Sequence, residues 1–326
     1  CGIRPERYDV VFDEDRAVFT RRDGNIETRT DIVVSPTYNM EVRRTTLTNR
    51  SIHRRVLDIT SYFELAISSS ISDIAHRTFN NLFVITEFIP EYNALIGYRR
   101  WGGDLSKKIW VMHTLVLESG DDIGTIQYET NRLKFIGRGR DISSPTAMEP
   151  GTPLSNTIGA VLDPIMSLRK RVGIDGGKTA TVSFITGVGE TRDEVIALLE
   201  EHGTHQEIES IFELAWTHSQ IELRYLNLSV EDANLYQKLA SHVIYFSPNR
   251  IYNRDMIEAN TKGRSALWAQ GVSGDIPIVV VIISSVYELD ILEQLLSAHE
   301  YWGIKGLKVD LVILNEFGSS YEQPVE

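Results

Sequence analysis

The chain has 326 residues, with 33 Lys and Arg against 45 Asp and Glu, giving a formal net charge of −12. At about 100–200 residues per domain this length holds two or three domains, and 42% hydrophobic with 24% charged residues is globular composition. The acidic balance excludes a general nucleic-acid binder, and the single cysteine, Cys1, excludes an internal disulfide framework and a Cys-based zinc site.

One cysteine suits a reducing compartment. No apolar run approaches the roughly 18–20 residues of a membrane span, the longest being residues 276–283. No signal peptide opens the chain, and without an initiator Met it reads as a fragment that begins mid-domain.

Residues 1–187 read as β. Tyr8 to Phe12 and Ala17 to Thr20 flank Asp13-Glu14-Asp15, and Arg22-Asp23-Gly24-Asn25 is a turn before the β-branched run from Ile26 to Val34. Leu57, Ile59, Phe63, Leu65 and Ile67 alternate with polar residues at the period of a half-buried strand. Phe83 to Ile89 and Ala94 to Tyr98 flank Pro90-Glu91-Tyr92-Asn93 as a hairpin, and Trp110 to Leu117 and Thr179 to Thr186 are further strands. With no helical period between them, these strands imply a large antiparallel β-sandwich.

Residues 188–265 form a helical linker region. Thr191-Arg192-Asp193-Glu194 is a capping box, Ile208, Ile211, Phe212, Ala215, Trp216 and Ser219 recur at helical spacing, and Ser229 to Asp232 opens a third helix. Residues 266–326 read as a partial α/β unit, expected to be truncated at its C-terminal end. The unalternated run from Ile276 to Ile283 reads as a strand buried on both faces. A helix from Tyr287 to Gly303 and a strand from Leu307 to Leu314 complete a βαβ unit. The fold class is therefore mainly β with α: sandwich, helical segment, βαβ.

Several motifs have a chemical and a structural reading. Gly176-Gly177-Lys178-Thr179 resembles the end of a phosphate loop, but Val172 stands where the first glycine is needed and a strand follows, so it reads as a turn. Asp13 and Asp15 have the spacing of a metal-holding pair and read as a solvated hairpin turn. His202 and His205 have a superficial metal spacing, and His202 before Gly203 reads as a helix C-terminal cap. Arg132, Lys134, Arg138 and Arg140 form a basic stretch read as an exposed loop.

The five tryptophans could stack on sugar rings. Trp216 and Trp302 lie in helical stripes and read as core, whereas Trp101, in the polar loop Arg99-Arg100-Trp101-Gly102-Gly103, is the better platform. Asp275 precedes the first strand of the α/β unit, while Ser284, Ser285, Asn315 and Glu316 stand at its carboxyl edge, where parallel sheets bind ligands. The candidate carbohydrate-binding residues are thus Arg99, Arg100, Trp101, Asp275 and Glu316. No Ser-His-Asp, Cys-His or zinc-protease pattern is legible, and no catalytic residue, metal site or cofactor is expected.

Segments spread along the chain carry a resemblance: Arg43-Arg44-Thr45-Thr46-Leu47-Thr48-Asn49, Tyr128-Glu129-Thr130-Asn131-Arg132 through Arg140, Gly159-Ala160-Val161-Leu162-Asp163-Pro164, Glu213-Leu214-Ala215-Trp216-Thr217-His218, Leu267-Trp268-Ala269-Gln270-Gly271-Val272-Ser273-Gly274-Asp275, and Val309-Asp310-Leu311-Val312-Ile313-Leu314-Asn315-Glu316. Together they resemble the sandwich-bearing segment of cyclic β-1,2-glucan synthases, related to the β-sandwich of cellobiose-phosphorylase-type enzymes (glycosyltransferase family 36 type).

The resemblance implies a large bacterial inner-membrane parent that builds β-1,2-glucan from UDP-glucose, cyclises it and trims it by phosphorolysis, with this segment on the cytoplasmic side. The family's Asp-Trp-Asn-Asp and Gln-x-x-Arg-Trp motifs are both absent, so no catalytic residue carries over and the chain is expected to be inactive alone. The expected role is a noncatalytic scaffold that contacts neighbouring domains of the same polypeptide and β-1,2-glucan, without nucleic acid or membrane contact of its own. The alternatives are part of a β-glucan phosphorylase site completed by other domains, or a free-standing glucan-binding module.

Overall fold

A computed structural model describes residues 4–100, 109–245 and 254–316. The chain divides into two compact units, Cys1–His218 and Ser219–Glu326.

The first unit contains strands β1 (Arg7–Phe12), β2 (Arg16–Asp23), β3 (Ile26–Val34), β4 (Met40–Asn49), β5 (Arg55–Thr60) and β6 (Phe63–Glu64), then helix α1 (Ser70–Asn81). It continues through β7 (Val84–Ile89), β8 (Ala94–Arg99), β9 (Trp110–Ser119) and β10 (Asp121–Asn131) to α2 (Arg132–Ile136). Strands β11 (Gly159–Ala160), β12 (Pro164–Ile174) and β13 (Thr179–Gly189) precede α3 (Arg192–Glu201) and α4 (His205–Tyr225), which runs across the division.

Nine strands form one sheet in the order β1-β2-β3-β4-β13-β9-β8-β7-β11, and a smaller sheet runs β10-β12-β5 with β6 also paired to β12. All these pairings are antiparallel. Period-two alternation gives the large sheet two apolar faces. Leu47, Leu95, Leu115, Val182 and Phe184 meet Leu168, Val172 and Ile174 of the smaller sheet. From the other face, Val42, Ile96, Met112 and Ile185 meet Val195 and Leu199 of α3 and Ile208, Ile211, Phe212 and Ala215 of α4. The large sheet is thus the middle layer, between the small sheet and two helices.

Local chemistry sets the joints. In the turn between β12 and β13, Gly177 takes φ +72°, and its N–H donates to Asn49 O at 2.8 Å. The P-loop-like motif is therefore a hairpin turn. Asn93 closes the β7–β8 hairpin with φ 50°. Thr191 caps α3 by accepting from Glu194 N.

Helix α1 departs from the expectation of an unbroken β region. Its isoleucines, Ile71 and Ile74, are exposed and its buried residues are Asn80 and Asn81, so no apolar stripe marks it. Its N-cap Ser69 and the Asn80 side chain, which donates to Ser72 O at 2.7 Å, hold it instead.

In the second unit, α5 (Val230–Ile244) carries a full capping box between Ser229 and Asp232, and α6 (Arg254–Ala259) follows. Strand β14 (Ile278–Ile283), helix α7 (Leu289–Ile304) and strand β15 (Asp310–Asn315) form the expected βαβ unit, its strands parallel with Ile278 opposite Asp310. Strand β14 is covered on one face rather than both. Val281 and Ile283 are buried with Leu292 of α7, while Val280 and Ile282 are each 53% exposed. The unalternated sequence hid this, because both faces of the strand are β-branched.

Candidate functional site

A cleft of about 430 Å³ opens between the two sheets of the first unit. Thr30, Arg43 and Thr45 of the large sheet line it with Ser61, Tyr62 and Phe63 from the β5–β6 junction, and with His113 and Thr186. Alternation along β9 turns Val111, His113 and Leu115 to the same face, so the imidazole is carried into the sandwich with the apolar core. The break after β5 brings Ser61 over it.

Ser61 Oγ lies 2.8 Å from His113 Nε2, and Nδ1 lies 3.0 Å from Thr186 Oγ1. Phe63 meets the ring edge-on at 5.0 Å, and Phe184 lies parallel to it at 5.9 Å. A serine on a histidine is the usual pairing of a nucleophile and its base. Here three features disarm it. Burial, with the positive charge of Arg43, pushes the imidazole down to about 3, so it is neutral and a weak proton acceptor. A threonine hydroxyl stands where a carboxylate would stabilise the imidazolium. Ser61 Oγ also accepts from Leu168 N at 3.0 Å, which ties it to β12. The pair fastens one sheet to the other and is not set up for proton transfer.

The carboxylates nearby are likewise committed. Glu41 pairs with Arg43 at 2.5 Å. Burial works upward on the Glu64 carboxyl, but Arg77 and Arg132 hold it below the usual carboxylate range. A general acid needs the opposite shift.

The residues singled out from sequence fall in both units, Arg99 and Arg100 in the first and Asp275 and Glu316 in the second. Arg99 ends β8, donates to Asn80 Oδ1 at 2.8 Å and lies over the Phe83 ring at 5.6 Å. Arg100 is exposed, with its backbone N–H on Phe83 O at 2.8 Å, and Trp101 lies outside the described residues. Asp275 is ion-paired with Arg264 and precedes β14. Glu316 follows β15 and accepts from Ser284 Oγ at 3.2 Å. Because β14 and β15 are parallel, Asp275 and Glu316 stand at opposite ends of six-residue strands, about 20 Å apart at the usual strand rise.

Other sequence motifs resolve structurally. Asp15 is bound by Arg16 at 2.7 Å. His202 is the C-cap residue of α3 but is buried against Tyr38 at 4.4 Å, and burial lowers its pKa, so packing rather than a cationic charge on the helix dipole holds it there. His205 points elsewhere, to Glu118. Among the described residues no group of three or more His, Cys, Asp or Glu could hold a metal. Arg132 pairs with Glu64 at 2.9 Å and Arg140 with Glu149 at 2.5 Å, so much of the basic stretch is neutralised.

Trp302 is buried as expected, its Nε1 donating to Tyr236 O at 2.9 Å. Trp216 is not core. It is 54% exposed, because the apolar stripe of α4 leaves the sheet at Phe212 and Ala215. The Ser61–His113 pair was invisible in sequence, since 52 residues and two sheets separate its members. The only local trace was the break in alternation at Ser61-Tyr62.

The model of the glycosyl hydrolase 94 supersandwich domain matches residues 1–205. The cyclic β-(1,2)-glucan synthase NdvB of Rhizobium meliloti (strain 1021) is 30% identical over 321 residues, covering 98% of this chain and 11% of the relative. The chain therefore spans about a tenth of that curated relative's length.

Solved structures give fainter likenesses. A protein described as a kojibiose phosphorylase from human microbiome is 7% identical, covering 67% of this chain and 25% of its own, with a TM-score of 0.37. The heparan sulfate lyase HepC mutant from Pedobacter heparinus is 8% identical, covering 58% and 22%, with a TM-score of 0.30. Among the described residues no helix is long and apolar enough to cross a membrane. With the family model covering the whole sandwich and helix α3, well over half of the sequence, the chain belongs to the glycosyl hydrolase 94 supersandwich family.

Proposed function

We propose that this chain is a noncatalytic segment of a cyclic β-1,2-glucan synthase, positioning neighbouring domains of the same polypeptide and contacting β-1,2-glucan. Its parent sits in the bacterial inner membrane, with this segment on the cytoplasmic side. The polymer is taken from the name of the 30%-identical relative. The observation that carries the noncatalytic role is the Ser61–His113 pair, whose imidazole is pushed down to about 3 and oriented by a hydroxyl. The phosphorylase-site alternative drew on Asp275 and Glu316, and their separation gives it no support.

The test is a product assay on the 326-residue chain. It is incubated with linear β-1,2-glucan, with and without inorganic phosphate, and the mixture is analysed for new reducing ends and glucose 1-phosphate. Neither product is expected. Product formation abolished by Ser61→Ala would overturn the noncatalytic role.

A further inference from the structure

A second cleft, of about 410 Å³, lies in the first unit on the opposite side of the large sheet, between that sheet and α4. Phe212 is buried there with the Arg44 guanidinium 4.5 Å and the Arg16 guanidinium 5.3 Å from its ring centre. Trp216 follows one helical turn later on the same face of α4 and is 54% exposed.

The donors are held in place before any ligand arrives. Arg44 is fixed by Glu118 at 3.0 Å and Glu209 at 2.8 Å, and Arg16 by Asp15 at 2.7 Å. Glu213 also lines the cleft, and among the described residues its carboxylate makes no hydrogen bond or ion pair. Its placement four residues after Glu209 sets like charges together on one helix, which works against the helix itself. A ligand hydroxyl can donate to that carboxylate.

We propose that this cleft is a binding site for a neutral oligosaccharide, with the Trp216 indole as the stacking face for a pyranose ring and Glu213, Arg16 and Arg44 as hydrogen-bonding partners of its hydroxyls. The two arginines are already met by Asp15, Glu118 and Glu209, and Glu213 adds a further carboxylate, so the charge balance at the cleft leaves no excess of cations. That balance selects a polyhydroxyl ligand over phosphate or a nucleotide, which would require an excess of cations. The volume is in the range of small-ligand pockets and accommodates one or two sugar rings. The proposal rests on the glucan-contacting role above and names its site.

The experiment titrates the full 326-residue chain with a linear β-1,2-linked glucose tetrasaccharide by calorimetry. Saturable binding is expected, weakened about tenfold or more by Trp216→Ala, as for loss of one aromatic anchor, and to a lesser extent by Glu213→Gln. Undiminished affinity in Trp216→Ala would overturn the site while leaving glucan contact intact. No binding to the wild-type chain would overturn both and leave the noncatalytic assignment standing. Displacement of the tetrasaccharide by inorganic phosphate would make this an anion cleft and overturn the proposal. If Trp216→Ala fails to fold, the Trp216 indole N–H resonance of the wild-type chain decides: a shift on titration supports the site and an unmoved signal overturns it.

Discussion

His113 makes the sandwich sensitive to acid in a way that can be isolated by one substitution. In the folded chain its pKa is about 3, against 6.5 for the free side chain, because burial disfavours the imidazolium. Between those values the unfolded chain binds a proton that the folded chain refuses. The contribution is therefore complete above about pH 6.5 and is lost as pH falls, at about 1.4 kcal/mol per unit in the steep region. From pH 7.5 to pH 5 the loss from this residue alone comes to about 2 kcal/mol. His113→Gln removes the titration, so its destabilisation relative to wild type should be about 2 kcal/mol smaller at pH 5 than at pH 7.5. Urea unfolding at the two pH values, followed by the far-ultraviolet β signal, reads this directly. Other groups, including the buried His202, are common to both chains and cancel. A wild type and variant that lose stability in parallel over that range would refute the claim that the imidazole is held neutral by burial.

Four other outcomes follow from the packing. A β-carbon at Gly97 would lie 2.5 Å from Leu65 Cδ2 and 2.7 Å from Met166 Cε, both movable side-chain ends, so Gly97→Ala should cost about 1–3 kcal/mol in urea unfolding. At Gly176 the same atom would meet the Ile52 backbone carbonyl at 2.5 Å, and Gly176→Ala should cost more because the backbone must give way. Ser229→Ala breaks the α5 capping box and should lower the unfolding free energy of the second unit by about 1 kcal/mol, measured by hydrogen exchange of α5 amides. Glu118, with 2% of its side chain exposed, shares Arg44 with Glu209; Glu118→Ala leaves that guanidinium with Glu209 alone and should cost about 1–3 kcal/mol, seen as a lower urea midpoint.

Much of the fold was legible because local signals agreed with it. The β3 run from Ile26 to Val34, the hairpin at Pro90–Asn93, the Ser229–Asp232 box and the parallel pairing of β14 with β15 all follow from short-range pattern and turn chemistry. What escaped lacked such a pattern. Helix α1 buries asparagines instead of an apolar stripe. The exposure of Val280 and Ile282 depends on what covers the sheet, which residue type does not encode. Trp216 shares helical spacing with Phe212 yet lies past the edge of the contact. The Ser61–His113 pair depends on how two sheets stack, and no spacing within one strand reports that.

The most direct measurement is glucan synthesis by a full-length cyclic β-1,2-glucan synthase carrying this segment, with Ser61→Ala compared against Gly176→Val. A noncatalytic scaffold predicts that Ser61→Ala, with folding confirmed by circular dichroism, keeps the wild-type rate and product. It also predicts that Gly176→Val, which drives side-chain atoms into the Ile52 backbone, loses synthesis together with the sandwich. Abolished synthesis in a folded Ser61→Ala enzyme, or full synthesis with the sandwich unfolded, would contradict it.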